Sequence, residues 1–354
     1  HLDRLQGLGT LLSGMTQDGT GDISVSMTQM SSDAGAISKL SGDYTLAVSG
    51  ASVGDAQNLL DASYSHVTSI AVADTSANIA THLDQLQANT KLSSISQTGT
   101  AAPLALNKAQ LVSDSAALEK IQGSYSVAIQ DAGTEDVNSL NSNARVVSMV
   151  VTGTAENIVS KLADLQAAGS KVSGLRVSTS PATLEMTQTQ WMTYQPVLAK
   201  ISQNYSVSLS EVSASQASSL ANDARVATLA ISDSTSRINA SLDTLQALGS
   251  KLSAITVTDS GTPPAMTITA AQYLADAAAL AKITDANYSL NVSGATMVNV
   301  GTLNADAQVS HFSVADTSDN IAASLSSLNN LSKLTTVTQT GTTSPMTLSA
   351  TVYA

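Results

Sequence analysis

The chain has 354 residues and 43% of them are hydrophobic, so it is long enough to bury a sizeable core. Only 12% are charged and the formal net charge is −12, which excludes the basic surface that nucleic acids and anionic membranes attract. Cysteine is absent, which excludes disulfides and thiol chemistry and is typical of exported bacterial proteins.

Three strand–helix steps follow one another in the segment from Tyr44 to Ile121. The predicted strand and helix pairs are 44–50 with 51–63, 67–74 with 75–90, and 91–106 with 107–121. Each strand alternates apolar and small polar residues, and the second helix places Ile79, Leu83 and Leu86 on one face. The third step is longer and contains Pro103, which predicts a short extra strand or loop there.

The same steps recur along the whole chain. The strand that starts at Tyr44 has counterparts at Tyr125, Tyr205 and Tyr288, with spacings of 81, 80 and 83 residues. We therefore expect one continuous structure over 1–354 built from repeats of about 80 residues. Its repeats are 44–124, 125–204 and 205–287, with partial repeats at 1–43 and 288–354.

Short strand–helix steps indicate parallel strands joined by helical crossovers. Such strands can form a doubly wound sheet or an open solenoid, and four near-copies in tandem favour the solenoid. The fold class predicted is α/β: a right-handed α/β solenoid with a parallel sheet on one layer and helices on the other. It is similar in layout to leucine-rich repeat proteins but lacks their consensus.

One short motif suggests an enzyme. Residues 50–54, GASVG, match the G-x-S-x-G motif in which Ser52 would be the nucleophile. The corresponding residues of the other repeats are Gly133, Ser213 and Thr296, and no histidine recurs to act as a base. Because Ser and Thr are favoured where helices begin, we interpret Ser52 as a helix N-cap.

The sequence predicts one candidate metal site. Glu211, Asp233 and Asp259 each lie four residues after the central apolar residue of a predicted strand. On adjacent parallel strands these carboxylates would stack at the carboxyl end of the sheet, where they could bind calcium. The alternative is that the three side chains point separately into solvent. Apart from this possible calcium, the sequence predicts no cofactor.

The repeats resemble a known class of proteins. Segments 72–87 and 231–272 are similar to the Ala/Ser/Thr/Asp-rich tandem repeats of very large secreted bacterial surface proteins of the RTX-adhesin-like kind. The resemblance implies type I export, an extracellular or cell-surface location and a structural or adhesive role. The calcium-binding nonapeptide of RTX domains does not occur in this chain.

These observations predict a non-enzymatic extracellular protein that forms a rod, surface layer, sheath or matrix element. The alternative is a carbohydrate-binding or carbohydrate-active module on a parallel solenoid. The chain begins and ends within a repeat, so we expect it to continue in a longer chain or to self-associate, end to end or laterally. Surface glycans are the other candidate partner, whereas nucleic acid and membrane insertion are not expected.

Overall fold

The computed structural model describes residues 1–261, 264–284, 288–342 and 345, and it is a mixed α/β structure. The strands of these residues form five sheets in which every pairing is parallel. A two-stranded sheet joins β1 (Met15–Thr16) to β3 (Leu40–Ser41). The other four sheets have four strands each. The first contains β2 (Ile23–Ser26), β4 (Leu46–Ala51), β5 (Val67–Asp74) and β6 (Leu92–Gln97), and the second contains β7 (Leu104–Leu106), β8 (Val127–Gly133), β9 (Val146–Gly153) and β10 (Val172–Val177). The third contains β11 (Thr183–Thr187), β12 (Ser206–Val212), β13 (Val226–Asp233) and β14 (Leu252–Val257), and the fourth contains β15 (Met266–Thr269), β16 (Leu290–Ala295), β17 (Val309–Asp316) and β18 (Leu334–Gln339).

Short helices connect the strands. The α-helices are α1 (Leu2–Gln6), α2 (Met27–Ser32), α3 (Ala34–Ile37), α4 (Val53–Asn58), α5 (Ser76–Thr81), α6 (Leu83–Ala88), α7 (Lys108–Ser113), α8 (Ser115–Glu119), α9 (Val137–Ser142), α10 (Ala155–Ser160), α11 (Leu162–Ala168), α12 (Gln188–Thr193), α13 (Gln195–Leu198), α14 (Ala217–Ala221), α15 (Thr235–Ala240), α16 (Leu242–Ala247), α17 (Ala270–Ala275), α18 (Ala277–Leu280), α19 (Val300–Ala305) and α20 (Ser318–Leu328). Single turns of 3₁₀ helix occur at Gly9–Leu11, Ala62–Tyr64, Thr134–Asp136, Gly169–Lys171, Ala214–Gln216 and Gly249–Lys251. Within the described residues, none of the helices has the length and apolarity needed to cross a membrane.

The three strands predicted from the first full repeat lie side by side. Val48 of β4 pairs with Ile70 of β5, and Val72 of β5 pairs with Ile95 of β6, all in parallel register. The prediction of parallel neighbours joined by helical segments is therefore confirmed for β4, β5 and β6.

The core consists of the apolar residues of the alternating strands and of one helix face. Ile70 and Val72 on β5 are at most 1% exposed, and so are Ile79 and Leu83 of the predicted helical stripe. The helix predicted over 75–90 is interrupted at His82, whose φ of −113° and ψ of 21° are not helical. The Thr81 hydroxyl donates to the carbonyl of Ala77 at 2.9 Å just before this break, a contact that commonly bends helices.

The short extra strand predicted for the proline-bearing segment is present as β7. Leu104 and Leu106 of β7 pair with Val127 and Ile129 of β8, the strand that follows Tyr125. β11 and β15 occupy the same place before β12 and β16. Each of these three sheets therefore takes its first strand from the end of the preceding sequence repeat.

The chain divides into two compact units. One contains His1–Ser178 and Pro196–Gln203, and the other contains Thr179–Gln195 and the residues from Asn204 onward. The boundary between the units is therefore not at a single residue, and the two short segments both lie near the end of repeat 125–204. The sheets that begin with β2 and β7 belong to the first unit, and those that begin with β11 and β15 to the second.

We expect Ile70→Ala to destabilise the protein by about 2–5 kcal/mol, because Ile70 has no exposed surface and its truncation leaves a cavity. Val147→Ala is the matched control, since Val147 is 45% exposed on β9. Chemical unfolding followed by circular dichroism measures both effects. Equal shifts of the two midpoints would contradict the assignment of Ile70 to the core.

Candidate functional site

Glu211 lies on a β-bulge in β12 and its side chain is exposed. Its φ is +54°, and the corresponding residues Gly50 and Gly294 have φ values of +71° and +70°. A positive φ is costly for a residue with a side chain, so Glu211 is strained at a position where two of the other repeats have glycine.

Asp233 lies at the end of β13 and is only 5% exposed. Its Oδ2 accepts a hydrogen bond from the Ala214 backbone N–H at 3.0 Å, and its Oδ1 accepts one from the Ser234 N–H at 2.9 Å. Arg237, one helical turn further on, approaches Oδ1 to 3.4 Å. Both carboxylate oxygens therefore have protein donors.

Asp259 follows β14 and makes a similar contact. Its Oδ2 accepts hydrogen bonds from the hydroxyl and the backbone N–H of Thr235, both at 2.6 Å. These two hydrogen bonds lower the pKa of Asp259, the hydroxyl contributing more than the backbone N–H.

The structure thus gives the three acids predicted to bind calcium different surroundings. Asp233 and Asp259 point to the beginnings of two helical segments, and Glu211 points to solvent. Within the described residues, no group of three or more His, Cys, Asp or Glu side chains is arranged to hold a metal ion. A calcium site at Glu211, Asp233 and Asp259 stays a prediction.

The contact made by Asp233 recurs in other repeats. Asp74 at the end of β5 accepts from the Val53 N–H at 3.0 Å, and Asp316 at the end of β17 accepts from the Met297 N–H at 2.8 Å. Asp74 and Asp233 thus cap the helical segment that follows the neighbouring strand, and Asp316 caps the turn that leads into α19. Repeat 125–204 has Gly153 at this position.

The pKa values of these capping acids reflect their hydrogen bonds. Burial alone would raise the pKa of Asp74, but hydrogen bonds from Val53, Asn78 and Thr75 more than offset burial and lower it. For Asp316, the N–H of Met297 is the largest cause of a lowered pKa, and the Asn320 amide is the next. Both acids are therefore held as carboxylates.

Lysines make the complementary contact at the C-terminal ends of these helices and of α9, whose repeat has Gly153 in place of the acid. Lys91, just before β6, donates to the carbonyl of Leu59 at 3.0 Å, where α4 ends. Lys171 donates to Asn141 in α9 at 2.7 Å, and Lys251 to Ala221, the last residue of α14, at 2.6 Å. Lys333 donates to the Asp306 carbonyl, just beyond α19. A cation at a helix C-terminus satisfies free carbonyls and complements the helix dipole.

Sequence reasoning did not find this arrangement of acids and lysines. A signal was available, because a lysine precedes the third strand of every full repeat, at Lys91, Lys171 and Lys251. What the sequence could not provide was the distance between this lysine and a helix end about 30 residues earlier.

The serine of the hydrolase-like motif is a helix cap, as predicted. Ser52 Oγ accepts from the Asp55 N–H at 3.1 Å, and Asp55 Oδ2 accepts in return from the Ser52 N–H at 3.1 Å. This reciprocal pair is a capping box that begins α4. The hydroxyl also donates to Asp55 at 2.7 Å, so Ser52 is engaged by its own helix.

Comparison with models of known protein families, with curated proteins and with solved structures finds no match to this chain.

We expect Asp74→Ala to cost about 1–2 kcal/mol of stability near neutral pH, because the Val53 N–H at the start of α4 loses its carboxylate acceptor while the Ser52 capping box remains. The lowered pKa means that this contribution is present above the ordinary pKa of aspartate and is lost as the pH falls through the folded-state pKa. Asp18→Ala removes the same charge from an exposed position and is the control. Thermal unfolding of both variants across acidic pH measures the difference, and an equal pH dependence for both would contradict the capping role.

Proposed function

We propose that this chain is a stretch of a non-enzymatic, extracellular or cell-surface protein with a structural or adhesive role. In this proposal its sheets stack into one right-handed α/β solenoid of about 80-residue repeats, which associates end to end or laterally with further copies. The observation that carries the proposal is the repetition of one set of contacts, in which a strand-end acid and a strand-start lysine hold the two ends of the same helix. A repeat held in this way can be added many times, as a rod or a surface layer requires.

The use of the charged residues also supports a structural role. The chain has only 15 Lys and Arg residues. Six lysines donate to backbone carbonyls 27 to 32 residues earlier in the chain: Lys91, Lys120, Lys171, Lys200, Lys251 and Lys333. These side chains join one strand–helix step to the step before it, which is a structural use of their charge.

A specific observation favours glycan binding as the adhesive function. Thr267, Asn291 and His311 are aligned across three neighbouring strands, β15, β16 and β17. They line a shallow hollow of about 350 Å³ on the outer side of this sheet, together with Ser293, Ser313 and Thr335. Hydroxyl, amide and imidazole groups can both donate hydrogen bonds to sugar hydroxyls and accept them.

A solenoid predicts that the length of the particle rises linearly with the number of repeats. Insertion of one or two further copies of residues 125–204 should lengthen the particle by equal steps of about 15–20 Å, since each copy adds three or four strands spaced about 4.8 Å apart. Small-angle scattering measures the maximum dimension. A dimension that rises only with the cube root of the chain length would contradict a solenoid, and the parent chain is the control.

The adhesive role predicts binding without turnover. On an array of bacterial and host glycans we expect the chain to bind, and we expect His311→Ala to weaken that binding several-fold because one side of the hollow is lost. His82→Ala, at the break between α5 and α6 in the other unit, is the control. Release of sugars from polysaccharides by the purified chain would contradict the non-enzymatic proposal and favour a carbohydrate-active module.

A further inference from the structure

A second arrangement of acids recurs on the helices. Asp3, Asp84 and Asp243 are each the second residue of a helix, namely α1, α6 and α16. The aspartate that faces each of them interrupts a later pair of helices: Asp33 lies between α2 and α3, Asp114 between α7 and α8, and Asp276 between α17 and α18. We call these the acid pairs: Asp3 with Asp33, Asp84 with Asp114, and Asp243 with Asp276.

The inner acid of each pair is buried and lacks a donor. Asp33, Asp114 and Asp276 are each 3% exposed. The Oδ2 atom of each is shielded from solvent and accepts no hydrogen bond from any N–H or O–H group of the described residues. The outer acid lies close by, because one glutamine contacts both acids: its side-chain amide donates to the outer carboxylate, and its backbone carbonyl accepts from the N–H of the inner acid. A hydrogen bond between the two carboxyl groups is also among the causes that raise the pKa of the inner acid. Two ionised carboxylates cannot hydrogen bond to each other, so one of the two must carry a proton for this contact to be favourable.

The outer acid is the better acceptor. A glutamine amide donates to it in every pair: Gln29 to Asp3 and Gln110 to Asp84 at 3.4 Å, and Gln272 to Asp243 at 3.2 Å. The proton therefore belongs on the inner acid, which donates it to the outer carboxylate. The pKa directions agree: burial is the largest cause that raises the pKa of Asp33, Asp114 and Asp276, the last to about 6, whereas the hydrogen bond from Asp33 lowers the pKa of Asp3.

The described helices of two acid pairs carry little positive charge. The helices at the Asp243–Asp276 pair, α16, α17 and α18, carry no Lys, Arg or His, and their remaining titratable group, Tyr273, donates to Asp306 at 2.7 Å. At Asp84–Asp114, Lys108 of α7 is paired with Asp136, and Glu119 of α8 is a further acid.

The Asp3–Asp33 pair differs in its surroundings. Arg4 lies beside Asp3 on α1, and the negative charge of Asp3 contributes to the raised pKa of Asp33. The Asp243–Asp276 pair is therefore the best of the three for an experiment, because its helices carry no Lys, Arg or His.

The remaining full repeat is an internal control. Ala163 stands at the position of Asp84 and Asp243, and Tyr194 at the position of Asp114 and Asp276. Both acids have been replaced together, and neither is left without the other. This joint absence is what we expect if each acid is tolerated because of its partner.

We propose that each acid pair shares one proton, so that the contact between its helices forms in acid and is lost when the second carboxyl group ionises. The proton bound to Oδ2 of the inner aspartate is donated to the outer carboxylate, and at higher pH it passes to solvent and leaves two facing negative charges. In the wild-type protein each acid pair then stabilises the contact between an earlier helix and a later pair of helices in acid, and this stabilisation is lost at higher pH.

The sign of the effect follows from linkage. An acid whose pKa is higher in the folded than in the unfolded state stabilises the fold fully below its unfolded-state pKa, and this stabilisation is lost as the pH rises through the folded-state pKa. For Asp276 the window runs from the ordinary value of 3.8 up to about 6. The capping acids Asp74, Asp259 and Asp316 have lowered pKa values and therefore act in the opposite direction.

The test is a carboxyl-carbon NMR titration of Asp276 in the full chain. We expect a midpoint near pH 6 in the wild type, and we expect Asp243→Asn to lower it by at least about one pH unit because the negative partner is gone. In parallel, the unfolding equilibrium constant of the wild type relative to Asp276→Asn should rise on the order of ten- to a hundred-fold from about pH 4 to about pH 8. Asp259→Asn is the control and should show the opposite slope.

A double variant distinguishes loss of the shared proton from simple misfolding. Asp243→Ala combined with Asp276→Tyr reproduces the residues of the repeat that lacks the pair, so it should fold and lose this part of the pH dependence. A wild-type Asp276 midpoint near 3.8, or a midpoint unchanged by Asp243→Asn, would overturn the shared proton. So would millimolar calcium that raises the melting temperature of the wild type at neutral pH but not that of Asp276→Asn, because the pair would then hold a metal ion.

Discussion

The structure depends on how the two ends of a short helix are satisfied. α4 has six residues, so most of its backbone N–H and C=O groups have no partner within the helix. Asp74, at the end of the next strand, accepts from the N–H of Val53, and Lys91, before the strand after that, donates to the carbonyl of Leu59. Because both partners come from later steps of the chain, these two contacts form only when the later strands are paired beside the helix.

This dependence explains how a chain so poor in charge can form a defined structure. The aspartates and lysines are few, but several of them lie between one strand–helix step and the next rather than on open surface. Apolar residues such as Ile70 and Leu83 supply the burial, which is not directional. The carboxylate and ammonium contacts are directional, so they fix which helix lies against which strand.

Much of the local structure could be predicted from the sequence, because it depends on residues close together in the chain. The parallel neighbours β4, β5 and β6, the extra strand β7 and the cap at Ser52 all follow from periodicity and capping rules. The surroundings of Asp233 and Asp259 could not be predicted, since strand spacing does not say which way a side chain turns at a strand end. The acid pairs were missed for a similar reason: their members are 30 or 33 residues apart and meet only when the helices pack.

The sheet boundaries do not coincide with the boundaries of the sequence repeat. β7 lies before Tyr125 but pairs with β8, which lies after it, and β11 and β12 have the same relation. A genetic deletion or duplication of one whole period, wherever its breakpoints fall, leaves such a strand followed by its partner. A gene of this kind can therefore change its repeat number by recombination at any point within the repeat and still encode strands that pair with each other.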